Sequence, residues 1–255
     1  MHHLVELPID AAPDIMAAEM WALGAVGIEE RQDSLVVAFT DDAAARDVAR
    51  KFEGRIRAVA DSEGLDGWRE HATTHLAGPF RIRPPWIEAG DGIDLVIDAG
   101  HSFGSGSHPS TRLALALIAA EVTPSDHIID VGCGSGILSI GSALLGATSV
   151  GVDVDPAAAS AVVSNASDNE VSDQVEFRLG SPEVGAGTYD LAVVNVTIDV
   201  HETIAPLLRH HIVAPRMVVS GILVGPQESR CAAAYQRSVR TRVTDGEWAA
   251  LVLEP

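Results

Sequence analysis

The run Ile128-Ile129-Asp130-Val131-Gly132-Cys133-Gly134-Ser135-Gly136-Ile137-Leu138 reads as a buried strand, a tight glycine loop and a helix start. Glycine in such a loop lets the main chain approach a ligand closely, where a Cβ would collide with it. A nicotinamide fingerprint needs glycine at 132, 134 and 137, and position 137 is Ile. A Walker phosphate loop needs Gly-Lys-Ser/Thr, and this loop contains no lysine. About twenty residues on, Val150-Gly151-Val152-Asp153-Val154-Asp155-Pro156 places an acid at the carboxyl end of the next strand. An acid there can accept both hydroxyls of a ribose, each charge-assisted bond being worth roughly 1.5–3 kcal/mol. Asp153 is the expected ribose acceptor. Asp155, before Pro156, is expected to cap the helix that follows.

The spacing of Gly132, Gly134 and Gly136 resembles the nucleoside-and-amino-acid cradle of class I S-adenosyl-L-methionine (AdoMet) methyltransferases. Methyl transfer from a sulfonium is an in-line displacement, so catalysis is largely positioning and desolvation. The acceptor amine must be neutral to attack, and a lysine at pH 7 faces a deprotonation cost of roughly 4–5 kcal/mol. Burial beside a cation lowers that cost. Strand ends on one edge of a parallel sheet should present Asp130, Asp153 and Asn195 around one crevice. Asn195 is the candidate catalytic residue, orienting the amine through its side-chain carbonyl; the alternative is that it merely finishes the fourth strand.

These residues need a sheet to present them. From about Asp94 onward, apolar strands at 128–131, 149–152, 175–179, 191–194 and 217–220 alternate with helices at 111–122, 137–145, 157–169, 202–210 and 227–237. That alternation implies a parallel sheet covered on both faces. Strands at 239–243 and 248–253 across Asp245-Gly246 add an antiparallel hairpin. The expected architecture is α/β, a Rossmann-like seven-stranded sheet of the class I methyltransferase kind. The first sixty residues read differently. A strand near 4–9, a helix from Pro13 to Gly24, strands at 27–31 and 35–39, a helix at 43–52 and a strand at 55–59 follow the βαββαβ order of a ferredoxin-like α+β domain. The expected division is a recognition domain over 1–60, a polar linker over 61–92 broken by Gly and Pro, and a catalytic domain over 93–255.

Upstream of the glycine loop, Asp98-Ala99-Gly100-His101-Ser102-Phe103-Gly104-Ser105-Gly106-Ser107-His108-Pro109-Ser110-Thr111-Arg112 closely resembles the signature of the PrmA family, bacterial methyltransferases of a large-subunit ribosomal protein. There the pattern runs Asp-Pro-Gly-x-Ala-Phe-Gly-Thr-Gly-Thr-His-Pro-Thr-Thr. The segments 21–30, Trp68-Arg69-Glu70, Arg83-Pro84-Pro85-Trp86 and Ser220-Gly221-Ile222-Leu223 with Gln227 also resemble that family. Ala99 stands where the family has proline, and serines at 105, 107 and 110 where it has threonines. Val194-Asn195-Val196-Thr197 departs from its usual Asn-Ile-Leu-Ala. The resemblance implies AdoMet as cofactor, with contacts from Phe103, Gly104, Thr111, Gly132, Gly134, Gly136, Asp153 and Asn195. It implies a protein N-methyltransferase acting on lysine or α-amino nitrogens of a ribosomal protein. Alternatives are a lysine methyltransferase for another protein, such as electron-transfer flavoprotein, and a cofactor-binding regulator without turnover.

Composition narrows the partners. The 255 residues carry 17 Lys+Arg against 36 Asp+Glu, a net charge of −19. Such a surface attracts a basic protein and repels phosphate backbones, so direct nucleic-acid binding is not expected. After Asn195 there is also no Pro-Pro-aromatic run to stack on a flipped base. Cys133 and Cys231 are far apart without metal-ligand spacing, and no histidine pair has ligand spacing, so no metal is expected. Cys133 is expected to be a small packed residue, and His108 to fix its loop. His201, His210 and His211 are expected to be cationic or solvated near a helix end. Trp68 and Trp86 could cover the site or contact substrate, or take a core or interdomain role, and Arg237, Arg240 and Arg242 suit a solvated strand edge. No apolar run reaches the roughly 18 residues that span a bilayer. The first residues lack a secretory pattern, so a cytoplasmic setting is expected.

Overall fold

A computed structural model describes residues 2–8, 16, 19–20, 23–25, 27–30, 34–39, 41–59, 73–98 and 104–255. Most of the helix expected between Pro13 and Gly24, together with Trp68, His101 and Phe103, lies outside the described residues. The described residues form two compact units, one within Met1–Ala72 and one within Thr73–Ala99 and Gly104–Pro255.

In the first unit, β1 (His2–Pro8), β2 (Gly27–Glu30), β3 (Ser34–Phe39) and β4 (Arg55–Val59) form an antiparallel sheet in the order β2-β3-β1-β4. That is the strand order of a ferredoxin-like sheet. Alternation makes the packing: Val5 and Leu7 of β1 join Leu35, Val37 and Phe39 of β3 in one apolar cluster. Helix α1 (Asp42–Lys51) contributes Ala45 and Val48 to it, and Met20 is buried there too. Asp41 caps α1 by accepting from the Ala43 amide at 2.7 Å, as its position predicts. Glu53 takes the left-handed conformation that stops the helix, and the Gly54 amide donates to the Ala49 carbonyl at 2.8 Å.

The second unit opens with β5 (His75–Ala77), β6 (Phe80–Arg83) and β7 (Ile93–Val96), a small sheet in the order β5-β6-β7. Residues 73–92 are thus folded structure of the larger unit, not the tail of a polar connector. The sequence hides them because the strands are three or four residues long, too short for a periodic signal. Their anchors are local. Arg83 donates to both carboxylate oxygens of Asp94, at 2.9 and 2.8 Å from Nε, and to the Ile87 carbonyl at 2.6 Å, closing the Pro84-Pro85-Trp86 turn. Trp86 on that turn is exposed, which excludes the core role considered for it.

The large sheet follows in the order β10-β9-β8-β12-β14-β16-β15, with β8 (His127–Val131), β9 (Thr148–Asp153), β10 (Val175–Leu179), β12 (Leu191–Asn195), β14 (Arg216–Leu223), β15 (Ser238–Asp245) and β16 (Trp248–Glu254). The first five in that order run parallel, and the β15–β16 hairpin adds antiparallel to β14. The expected seven strands are all present. The intervening two-residue strands β11 (Gly187–Thr188) and β13 (Ile212–Val213) pair with each other alone. Five helices complete this unit: α2 (Pro109–Glu121), α3 (Ile137–Leu144), α4 (Pro156–Asp168), α5 (Ile198–His211) and α6 (Pro226–Tyr235). The central strands are buried on both faces, which explains their continuous Val/Ile/Ala runs.

One irregularity bears on the site. The register of β14 against β16 shifts between Val219 and Ile222, where Ser220 and Gly221 together oppose the one residue Ala250. Gly221 has φ +81°, and a Cβ there would overlap the Val196 carbonyl oxygen. Gly221→Ala should therefore destabilise the protein by at least about 2 kcal/mol. Urea unfolding of both proteins measures this; equal midpoints would contradict the close approach.

Candidate functional site at the carboxyl edge of the sheet

The glycine loop is sewn to the end of the neighbouring strand. Gly132, Gly134 and Gly136 have φ of 77°, 51° and 80°, all left-handed, where other residues are strained. The Val152 carbonyl accepts from the amides of Gly132 at 2.8 Å and Cys133 at 3.2 Å. Asp153 then accepts from the Gly134 amide at 2.8 Å through Oδ2 and from the Asp155 amide at 2.9 Å through Oδ1. Each carboxylate oxygen keeps one lone-pair direction, so two further donors can be accepted. Asp155 caps α4 through the Ala157 amide at 2.9 Å, as its place before Pro156 predicts.

A second group converges from α2. His108 caps the helix by accepting from the Ser110 amide at 3.2 Å through Nδ1, which is the loop-fixing role expected of it. Its ring meets Trp248 edge-on at 4.5 Å, and Arg112 ties the Ser107 carbonyl to Asp245 in the β15–β16 turn. One turn into α2, buried Thr111 faces Asn195 at the end of β12, whose Nδ2 donates to Thr111 Oγ1 at 3.3 Å. With Nδ2 engaged, Asn195 Oδ1 is left buried without a hydrogen-bond partner. Ser220, opposite Asn195 in the β12–β14 register, donates to the Ser110 carbonyl at 2.8 Å. Val196 lies over Gly132, where a Cβ would come within 2.8 Å of Val196 Cγ1. Asn195 and Asp153 thus end neighbouring parts of one strand edge with Thr111 and the three glycines beside them, whereas Asp130, expected with them around the crevice, is buried. Gly104 joins them by accepting at its carbonyl from Ser135 Oγ at 2.7 Å.

Two asparagines of this region went unnoticed in the sequence. Asn165 at the end of α4 accepts from the Asp98 amide at 2.9 Å and donates to the Ser135 carbonyl at 2.9 Å. Asn169 brackets Val96, accepting from its amide at 2.8 Å and donating to its carbonyl at 2.6 Å. Together they fasten the stretch before the signature loop to the glycine loop. The only signal available was a polar residue on the apolar face of a helix, four residues from another.

Asp130 is fully buried beneath the loop. Its Oδ2 accepts from the Ser139 amide at 3.1 Å and hydroxyl at 2.8 Å, while Oδ1 has no partner. Burial pushes its carboxyl up to about 7, with the Asp153 charge adding to the rise and the Ser139 bonds opposing it. Cys133 is a packed residue as expected; burial raises its thiol far above the usual range. His201 corrects the sequence reading. It is wholly buried, and burial lowers its pKa to about 4, so it is a neutral core histidine. The Arg240 and Arg242 guanidiniums are paired with Glu121, Glu254 and Glu228, which suits the strand-edge reading. Among the described residues no group of three His, Cys, Asp or Glu could hold a metal, and no helix is long and apolar enough to cross a membrane.

With this geometry in place, the comparisons with known proteins are decisive. The family profile for ribosomal protein L11 methyltransferase (PrmA) matches residues 15–255. The chain belongs to the PrmA family. Within that family it is 34% identical over 234 residues to the ribosomal protein L11 methyltransferase of Thermus thermophilus, covering 89% of each chain. It is 36% identical over 230 residues to the Thiobacillus denitrificans enzyme of that name, covering 88% of this chain and 76% of the other. Among solved structures, the ribosomal protein L11 methylase of Lactobacillus delbrueckii subsp. bulgaricus matches with a TM-score of 0.63 at 25% identity, over 72% of this chain and 98% of that one. As a PrmA family member, the protein is a methyltransferase with the seven-stranded α/β fold expected.

The two buried polar groups near the edge titrate in opposite senses. Asp130 holds its proton more tightly when folded, so its stabilisation is complete in acid and is lost as pH rises from about 4 to about 7. His201 binds its proton less tightly when folded, so its contribution grows as pH rises from about 4 to 6.5. Asp130→Asn removes only the first. Its stability relative to wild type should rise across pH 4 to 7, read as the difference in urea midpoints; a constant difference would place the Asp130 carboxyl at its ordinary range.

Proposed function

We propose that this PrmA family member is an AdoMet-dependent protein N-methyltransferase acting on amine nitrogens of ribosomal protein L11, in the bacterial cytoplasm. The observation that carries the reading is the pair Thr111–Asn195 beside the glycine loop. It leaves one buried carbonyl oxygen, Asn195 Oδ1, in need of a donor at the edge where the loop and Asp153 meet. The names of the relatives supply the substrate, and the net charge of −19 suits a basic one.

The residues present fit the cofactor. Asp153 has two acceptor directions left for ribose hydroxyls. The left-handed glycines let backbone amides approach the ligand without side chains in the way. Gly104 belongs to the same cradle through Ser135, and Phe103 is assigned to it by its place in the family signature. When bound, AdoMet supplies a methyl group on a positively charged sulfur, so the protein's task is alignment and exclusion of water. With cofactor and substrate bound, Asn195 Oδ1 would accept an N–H of the incoming amine and so orient its lone pair. Thr111 keeps the amide from rotating. Asn195 is not a base, so the amine would release its ammonium proton to solvent before transfer and leave as the methylammonium ion. The ferredoxin-like unit within residues 1–60 is assigned to substrate recognition, since none of the residues placed at the cofactor edge falls in it.

Two measurements test this. Asp153→Ala removes charge-assisted bonds to the ribose and should raise the Kd for AdoMet at least tenfold by calorimetry; unchanged affinity would overturn the cofactor placement. Incubation with methyl-labelled AdoMet and a cell extract of the same organism should label L11, located by mass spectrometry. Label appearing in another protein of the extract while L11 stays unlabelled would reject the substrate.

A further inference from the structure

A fully buried histidine in an apolar cluster needs a reason, because a leucine would fill the same space without polar atoms to satisfy. His201 lies in the first turn of α5 on its buried face with Ile198 and Ala205, beside Tyr235. Both ring nitrogens are used. Nε2 is 2.8 Å from the Ser220 carbonyl oxygen and Nδ1 is 2.8 Å from the Tyr235 hydroxyl. A carbonyl can only accept, so Nε2 carries the hydrogen and donates to Ser220. Nδ1 therefore accepts from the Tyr235 O–H.

Ser220 and Gly221 sit at a bulge, two residues facing the single residue Ala250 of β16, so the strand is irregular there. Yet Ser220 is opposite Asn195 in β14–β12 pairing and donates to the Ser110 carbonyl, one residue before Thr111. The chain of contacts runs Tyr235, His201, Ser220, Ser110, and then the Thr111–Asn195 pair, whose own bond is a long 3.3 Å. A weak bond fixes an orientation only if the backbones on either side are fixed independently.

We infer that His201, with Tyr235 behind it, is a positioning residue for methyl transfer: its bond to the Ser220 carbonyl holds β14 at the bulge and so sets where Asn195 Oδ1 points. His201 touches neither substrate nor cofactor. The inference rests on the reacting centre being at Asn195, as proposed above. It predicts that loss of the histidine lowers turnover and leaves cofactor affinity nearly intact, since the glycine loop and Asp153 are held by separate contacts.

The test uses the full chain and three variants. His201→Leu should lower kcat for L11 methylation at least tenfold with the AdoMet Kd within threefold of wild type. His201→Gln, which can still donate to Ser220, should recover kcat to within threefold of wild type. In the ligand-free protein, the side-chain amide resonances of Asn195, assigned with Asn195→Asp, should shift or broaden in His201→Leu and return in His201→Gln. Wild-type kcat in folded His201→Leu, or unmoved Asn195 resonances, would overturn the inference. If His201→Leu does not fold, Tyr235→Phe, which deletes one oxygen, must move the same resonances or the inference fails. A wild-type protein that binds AdoMet but does not methylate L11 would count against the proposed substrate only, because the resonances read the positioning role without it.

Discussion

A parallel sheet ends every strand at the same edge, and there the last main-chain amides and carbonyls must find partners inside a few residues. The site is the solution to that constraint. Val152 takes two amides of the glycine loop, and Asp153 takes a third together with the amide that starts the next turn. Four donors are thus satisfied by one strand end. The same contacts hold the loop against β9, place a carboxylate beside it and leave that carboxylate with spare acceptor capacity. Without this arrangement the left-handed glycines would have nothing to lean on.

Opposite it stands a part of the edge built by departures from regularity. The register between β14 and β16 shifts at Ser220, and Gly221 accepts a backbone geometry that lets β14 press against Val196. These irregular residues meet the start of α2, where His108 caps the helix and Thr111 turns inward. Local strain is tolerated because three separate elements hold it, namely α2, the β15–β16 hairpin and α5. The hairpin thereby does more than close the sheet, since Trp248 and Asp245 reach His108 and Arg112 of the signature.

Much of this was readable from residue order. The glycine spacing, the acid at the end of the following strand and the Asp155 cap came from patterns whose physical reasons are local. So did the alternation of apolar strands with helices. The ferredoxin-like strand order was legible because each strand of that unit has two-residue alternation or a capped helix as its neighbour. Family likeness added Thr111 and Gly104, which no spacing argument would have selected. The short strands β5 and β6 escaped because three or four residues carry no period. His201 was misread because a histidine on a helix surface and one on a helix core face look alike in sequence.

What residue order decided, then, was the set of elements, their succession, and the chemical types gathered at the strand ends, since propensity, capping and periodicity act over a few neighbours. What folding in three dimensions decided was which polar atoms were consumed and which remained. Asn195 keeps an unpaired oxygen while Thr111, 84 residues away, takes its nitrogen. Asp130 is pushed toward neutrality by burial, and His201 is turned from a surface cation into a neutral link between Tyr235 and Ser220. Those outcomes depend on desolvation and on partners distant along the chain, neither of which any window of sequence contains.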